Sequence, residues 1–302
     1  MANSNGWGDG SANNNIGWGQ GANNLIGWGI SHLLSWAGLT DIVGVTTPPP
    51  SFDPDAQAFI TATAITDTTQ QNALDALVIG LKTDLLWNKM LAVYPFVGGT
   101  ATTCKFNLKN PLDTNGGHRL TFVGGWTFSN NGIQPNGTNT YANTHLAPST
   151  HWTLASSSIS VYSRTNNNEP SSVSFGSKGA NFTSALYSVI NTSNVGIFHN
   201  QQLAIQPAPP TTTALNFISS RINTTEIIVA YNGSTTNNAS VAINLSPASI
   251  YLGARNNNAV SADLFSVRQL AFAHIGYGLT QAECTLLYNR IQTFQTTLGR
   301  QV

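Results

Sequence analysis

Ser158-Ile-Ser-Val-Tyr-Ser163 sets serine between successive apolar residues, the period-two signature of a strand with one buried face. Ser172-Val-Ser-Phe175, Glu226-Ile-Ile-Val-Ala-Tyr231 and Cys104-Lys-Phe-Asn-Leu108 read the same way. Asn131-Gly132, Asn136-Gly137 and Asn232-Gly233 supply turn signals, because these residue types accept the left-handed backbone that tight hairpins need. Many short strands with no helices between them predict an antiparallel β-sandwich. A helix closes the chain. Thr280-Gln-Ala-Glu283 is a capping box, and Leu286, Leu287, Ile291, Phe294 and Leu298 follow at helical spacing.

Upstream of the sandwich the texture differs. Leu74, Leu77, Val78, Leu81 and Leu85 predict a helix over 67–91, capped by Thr66 or Asp67 and stopped before Pro95. An extended piece is expected around Phe59 to Ala64. Pro48-Pro49-Pro50 is stiff punctuation that no helix interior or central strand accepts. Before it, Asn5-Gly6-Trp7-Gly8, Ile16-Gly17-Trp18-Gly19 and Ile26-Gly27-Trp28-Gly29 form a repeat. Each unit has one large aromatic and too little apolar surface for a core of its own. Trp7, Trp18 and Trp28 therefore need another surface, and tryptophan is a favoured interface anchor. The expected organisation is a docking arm over 1–47, a linker and helix over 48–99, and the sandwich with its C-terminal helix over 100–302.

Composition narrows the function. Only 8% of the 302 residues are charged, and 12 basic residues balance 12 acidic ones. Nothing there draws a phosphate backbone over long range, so nucleic acid is not an expected partner. No run approaches the roughly twenty apolar residues that span a bilayer, and no secretory signal is read at the start. A membrane is not expected either. Cys104 and Cys284 have no CxxC or histidine neighbour, and buried reduced thiols are expected.

Three C-terminal stretches carry a resemblance: Ala248-Ser-Ile-Tyr-Leu-Gly-Ala-Arg255, Phe265-Ser-Val-Arg-Gln-Leu-Ala-Phe272 and Ile275-Gly-Tyr-Gly-Leu-Thr-Gln-Ala-Glu-Cys-Thr-Leu-Leu-Tyr288. They resemble the end of concanavalin A-like (LamG, pentraxin or laminarinase-type) jelly rolls. Ile133-Gln-Pro-Asn-Gly-Thr-Asn-Thr-Tyr141 and Trp152-Thr-Leu-Ala-Ser-Ser-Ser-Ile-Ser-Val-Tyr-Ser-Arg164 resemble their opening strands. The glycine-tryptophan arm, the helix ending near Trp87-Asn-Lys-Met90 and Tyr94-Pro-Phe-Val-Gly-Gly99 are similar to virion proteins of tailed phages infecting Bacteroidetes. That second resemblance implies a tail-fibre, head-fibre or capsid-associated protein, assembled in the cytoplasm of a bacterial host.

Jelly rolls of this kind host both glycosidases and lectins, so the residues must decide between them. A sandwich glycosidase needs two carboxylates across the scissile bond. Between Asp113 and Asp263 the only acids are Glu169 and Glu226, 57 positions apart. No catalytic residue is assigned. Calcium sites need several hard oxygen ligands, and the six histidines show no ligand spacing, so no metal or other cofactor is expected. His145 and His151 read as loop hydrogen-bonding residues. No Gly-x-Ser-x-Gly elbow occurs. A metal-independent glycan site is open: Trp126, Tyr141 and Trp152 are the candidates to stack on a sugar while asparagines bond its hydroxyls. For both tryptophans a core position is the competing reading.

The expected function is a non-enzymatic virion structural protein, anchored to other virion proteins through 1–47. It would be a homo-oligomer, with a trimer as one form. The alternative is a carbohydrate-binding adhesin recognising host glycans.

Overall fold

Two strands that the sequence marks clearly, β6 (Ser157–Ser163) and β12 (Glu226–Tyr231), lie in one sheet with β11 (Asn216–Arg221) between them. The computed structural model describes residues 52–165, 172–180, 183–191, 194–197, 199–200, 204–207 and 216–302. The stretch 1–47 expected to be a docking arm, with Trp7, Trp18 and Trp28, lies outside the described residues.

The first sheet has eight strands. Its path runs β13 (Ser234–Ala239), β12, β11, β6, β17 (Leu270–Gly276), β4 (Gly132–Gln134), β3 (Thr127–Ser129), with β1 (Met90–Tyr94) also on β17. The second has nine. Its path runs β10 (Ala204–Pro207), β9 (Asn194–Ile197), β8 (Thr183–Asn191), β7 (Ser172–Lys178), β14 (Tyr251–Leu252), β5 (Tyr141–Asn143), β2 (Thr121–Val123). A small hairpin, β15 (Arg255–Asn257) and β16 (Ser261–Asp263), joins it with β15 parallel to β7. All other pairings are antiparallel, so the fold is the expected mainly β sandwich of jelly-roll type.

Period two explains the layers. Ile159, Val161, Phe217, Val229 and Ile275 point inward from the first sheet and meet Phe175, Leu252 and Ala142 of the second. Residues one position away, Tyr162, Ile218, Ile228 and Phe272, point outward and are buried by helices. Among the described residues the helices are α1 (Pro54–Thr63), α2 (Thr68–Thr83), the short α3 (Ala101–Cys104) and α4 (Pro148–His151), and α5 (Gln281–Thr297). Leu74, Leu77, Val78 and Leu81 of α2 pack with Cys284, Leu287, Ile291 and Phe294 of α5 against that face. Each such fully buried side chain contributes about 1.5–3 kcal/mol. Asp84 accepts from Arg290 Nε at 2.7 Å and Nη2 at 2.9 Å, tying the two helices together. The capping box at Thr280 and Glu283 is formed.

Three local readings are corrected. The helix expected over 67–91 ends at Thr83: the Asp84 amide bonds back to Gly80 and Lys82, and Leu85 turns left-handed at φ 59°. A 3-10 turn at Trp87–Lys89 and then β1 follow, so the apolar residues Leu86, Trp87 and Met90 continue the helical spacing across a change of structure. The extended piece expected at Phe59 to Ala64 is instead α1, nucleated by Asp53 as N-cap with Pro54 in the first turn. Among the described residues, two helices therefore precede the sandwich rather than one. Cys104 to Leu108 is no strand, because Thr100 and Thr103 form a reciprocal cap that starts α3. Both cysteines are free and buried.

The hairpin at Asn232 and Gly233 has φ 44° and 83°, the two left-handed positions of a type I′ turn. At Gly132, φ is 115° and a Cβ would lie 2.1 Å from the Leu270 carbonyl oxygen, so only glycine fits.

Candidate functional site

The three long helices cover the outer face of the first sheet. Ala142 and Leu252 are fully buried between the sheets, so Tyr141, Asn143 and Tyr251 beside them turn to the other side of the second sheet. These three are half-buried. Register aligns Tyr251 with Asn143, and Asn143 with Thr121, in a row across β14, β5 and β2. Beyond Tyr251 the next strand is already closed, since Ser174 and Gly176 are buried. Across β7, β14, β5 and β2, the accessible part of this face is therefore the β14–β5–β2 end.

Tyr141 and Tyr251 sit diagonally and stack, ring centroids 4.3 Å apart at 12°. Burial and the adjacent Tyr141 phenol push the Tyr251 hydroxyl above its ordinary pKa, so the Tyr251 ring stays neutral at pH 7. Trp126 packs on the inter-sheet side of the same strands, against the core between the sheets. Its indole Nε1 donates to the carbonyls of Val123 at 3.1 Å and Tyr141 at 3.2 Å, and Phe122 meets its ring edge at 5.4 Å. A Cβ at Gly253 would lie 2.8 Å from Trp126 Cη2, so that glycine is what lets the indole lie down on β14's end.

Polar groups continue the row. Asn143 Oδ1 accepts from the His145 amide at 2.8 Å, and Thr121 Oγ1 bonds His145 Nε2 at 2.7 Å. His118 and His145 both hold left-handed backbones, φ 55° and 56°, uncommon outside glycine. Burial first, then the charge of Arg119, lowers the His145 pKa, while burial and His151 lower that of His118. The His118 and His151 rings meet edge to face at 4.8 Å.

Of the sequence candidates, only Tyr141 lies on this face. Trp126 reaches it through the bond to the Tyr141 carbonyl, while its ring packs with Phe122 toward the inter-sheet core. Trp152 is buried between the sheets, 5.6 Å from the His199 ring, and offers no face to a ligand. Tyr251 and Asn143 were not among the candidates. Tyr251 stands between Ile250 and Leu252, and alternation alone turns it outward; its stacking on Tyr141 depends on cross-strand register.

Serine–histidine pairs exist, but they are sealed inside. His199 Nε2 bonds Ser157 Oγ at 2.8 Å and its Nδ1 bonds Ser219 Oγ at 2.7 Å, all three fully buried. His274 lies between Ser158 Oγ at 3.3 Å and Ser160 Oγ at 3.2 Å. Neither pair has a carboxylate partner among the described residues, so neither has the third member that would orient a catalytic base. Among the described residues, no three His, Cys, Asp or Glu side chains converge to hold a metal ion.

Fold and site together define a β-sandwich with one helix-covered face and an aromatic patch at the β14–β5–β2 end of its other sheet. No protein-family model and no curated protein sequence matches the chain. Among solved structures, it is similar to domain 4 of AbnA, a GH43 extracellular arabinanase from Geobacillus stearothermophilus, in complex with arabinotriose. That match has a TM-score of 0.42 at 16% identity, covering 66% of this chain and 98% of that one. It is also similar to botulinum neurotoxin type C, in a structure concerned with two ganglioside molecules, with a TM-score of 0.45 at 11% identity over 70% of this chain and 53% of that one. A third is the Ruminococcus gnavus IT-sialidase CBM40 bound to α2,3 sialyllactose, with a TM-score of 0.33 at 12% identity, 43% and 79% covered. Likenesses this distant assign neither family nor function.

Proposed function

We propose that the chain is a non-enzymatic carbohydrate-binding display protein, whose ligand lies on the β14–β5–β2 end of the second sheet. The observation that carries this reading is the half-buried, stacked pair Tyr141 and Tyr251 beside Asn143. Aromatic faces stack on the apolar face of a sugar ring, and an amide reaches its hydroxyls. Asn143 uses one oxygen lone pair on the His145 amide and keeps its Nδ2 uncommitted. The stacking patch itself carries no charge, which suits the sugar ring that lies on it, because neither strips an ion of its water.

A glycan array probed with the full chain tests this. Binding by the wild type that is lost in Tyr251→Ala supports it; binding retained in Tyr141→Ala, Tyr251→Ala and their double variant rejects it.

The second reading concerns attachment and rests on the Gly–Trp repeat of residues 5–29. On that reading the chain is a virion component, docked through Trp7, Trp18 and Trp28 and oligomeric, that presents the glycan face outward. Removing residues 2–45 should leave a folded sandwich that no longer joins its assembly. Normal incorporation of the truncated chain would reject the docking role.

A further inference from the structure

The row of Tyr251, Asn143 and Thr121 ends at β2, the edge strand of its sheet, and a cavity opens there. It holds about 260 Å³ between α3 and β2, lined by Thr102, Lys105, Arg119, Thr121 and Phe122. Two of these are cations, and both lean on one acid: Lys105 Nζ lies 2.7 Å from Asp113 Oδ2, and Arg119 Nη1 lies 2.9 Å from Asp113 Oδ1. Arg119 Nε adds a long bond to Asn115 Oδ1 at 3.4 Å. Elsewhere among the described ion pairs, carboxylates equal or outnumber cations. Lys82 serves Asp53 and Asp55, Lys89 pairs Glu283, Arg255 pairs Asp263, and Arg290 pairs Asp84. The Lys105–Asp113–Arg119 group is the one with an excess positive charge.

That excess stands out in a chain where only 8% of residues are charged. Lys105 needs one of its three N–H groups for Asp113, and the Arg119 Nη2 end remains uncommitted. A guanidinium edge and an ammonium facing one opening suit a planar carboxylate. The position is also informative. Two strand spacings separate Tyr251 from Thr121 and two residues separate Thr121 from Arg119, so the cations lie roughly 12 Å from the tyrosine pair. One sugar ring does not reach both.

Resting on the glycan reading above, we infer that the ligand is an acidic oligosaccharide: one ring stacks on Tyr141 and Tyr251, and a carboxylate on another sugar enters the cavity between Lys105 and Arg119. Thr121 and the His145 it holds at 2.7 Å line the path between the two subsites.

The experiment titrates the full chain with uronic-acid oligosaccharides and with the same oligosaccharides carboxyl-reduced to neutral sugars, at low and high salt. The acidic member should bind more tightly, and added salt should erase the difference. Lys105→Met and Arg119→Met should each weaken the acidic ligand about two- to fivefold while leaving the neutral one unchanged. Arg119→Lys should keep the preference. Equal binding of acidic and reduced sugars by the wild type overturns the inference while the glycan reading stands. So does a preference that survives in the double methionine variant. If neither sugar class binds, both fall. The wild-type salt and carboxyl-reduction comparisons decide the matter even if a variant fails to fold.

Discussion

Buried His199 and His274 should make this protein lose stability in mildly acidic solution, where the ion-paired Asp53, Asp84, Asp113 and Glu283 still hold their charge. Each imidazole lies between two serine hydroxyls, which satisfy the neutral ring because a hydroxyl can donate to one nitrogen and accept from the other. Protonation would place a cation with no counterion in the core. For His199, burial and then the nearby Arg221 charge hold the pKa well below 6.5; for His274, burial lowers it to about 3. The unfolded chain binds a proton on each ring near pH 6.5 and the folded chain does not, so the unfolded state binds more protons and stability falls as pH drops through that value. Above about pH 7 the contribution is complete and flat. Below 6.5, each ring costs about 1.4 kcal/mol per pH unit. At pH 5 the pair removes about 4 kcal/mol, a large part of a typical stability of roughly 5–15 kcal/mol. Asp53, Asp84, Asp113 and Glu283 have lowered pKa values through their Lys or Arg partners, so their contributions fade only in more acidic solution. Urea unfolding followed by circular dichroism between pH 5 and 7.5 measures the slope. His199→Gln and His274→Gln should each flatten it by about 1.4 kcal/mol per pH unit. A slope unchanged in the double variant, or absent in the wild type, would refute the reasoning.

Three further outcomes are expected. Gly132→Ala should cost at least about 2 kcal/mol, since its Cβ meets a carbonyl and its φ is 115°, while Gly116→Ala, with open space around it, should change stability by under about 0.5 kcal/mol in the same urea titration. Thr280→Ala removes the hydroxyl half of the α5 capping box, leaving the Glu283 carboxylate on the backbone amide of residue 280, and should lower unfolding free energy by about 1 kcal/mol. Cys104 and Cys284, buried and with thiol pKa values pushed up to about 11 and about 12 by desolvation, should resist a thiol reagent at pH 8 in the folded chain and react with it in urea.

Much of the sandwich was legible because each strand declares its buried face locally. Ser157–Ser163 has one such face toward the inter-sheet core and the other toward helices, yet serine spacing still showed the period. The turn at Asn232-Gly233 and the cap at Thr280 are equally local. The errors arose where a local pattern was continued by residues with another role. Leu86, Trp87 and Met90 keep the helical count beyond Asp84, although the chain there has left the helix for a strand whose partner lies about 180 residues on. The pairing that makes Met90–Tyr94 a strand is non-local and leaves no local mark. The proposed binding face was half legible for the same reason. Tyr141 is visible as an outward aromatic, but its partner is Tyr251, and register across β5 and β14 brings them together. Trp152 looked equally suitable, and packing against His199 in the core removes it. Polar residues next to an aromatic can line a ligand site or a sealed hydrogen-bond network, and sequence does not distinguish them.

The most direct measurement of the central claim is backbone amide shift mapping of the labelled full chain, titrated with the oligosaccharide that binds best on the array. The largest shifts are expected at Tyr251, Asn143, Tyr141 and Thr121, fading toward the helix-covered sheet. Shifts concentrated on α2 and α5, or none at these four residues at saturation, would contradict the account.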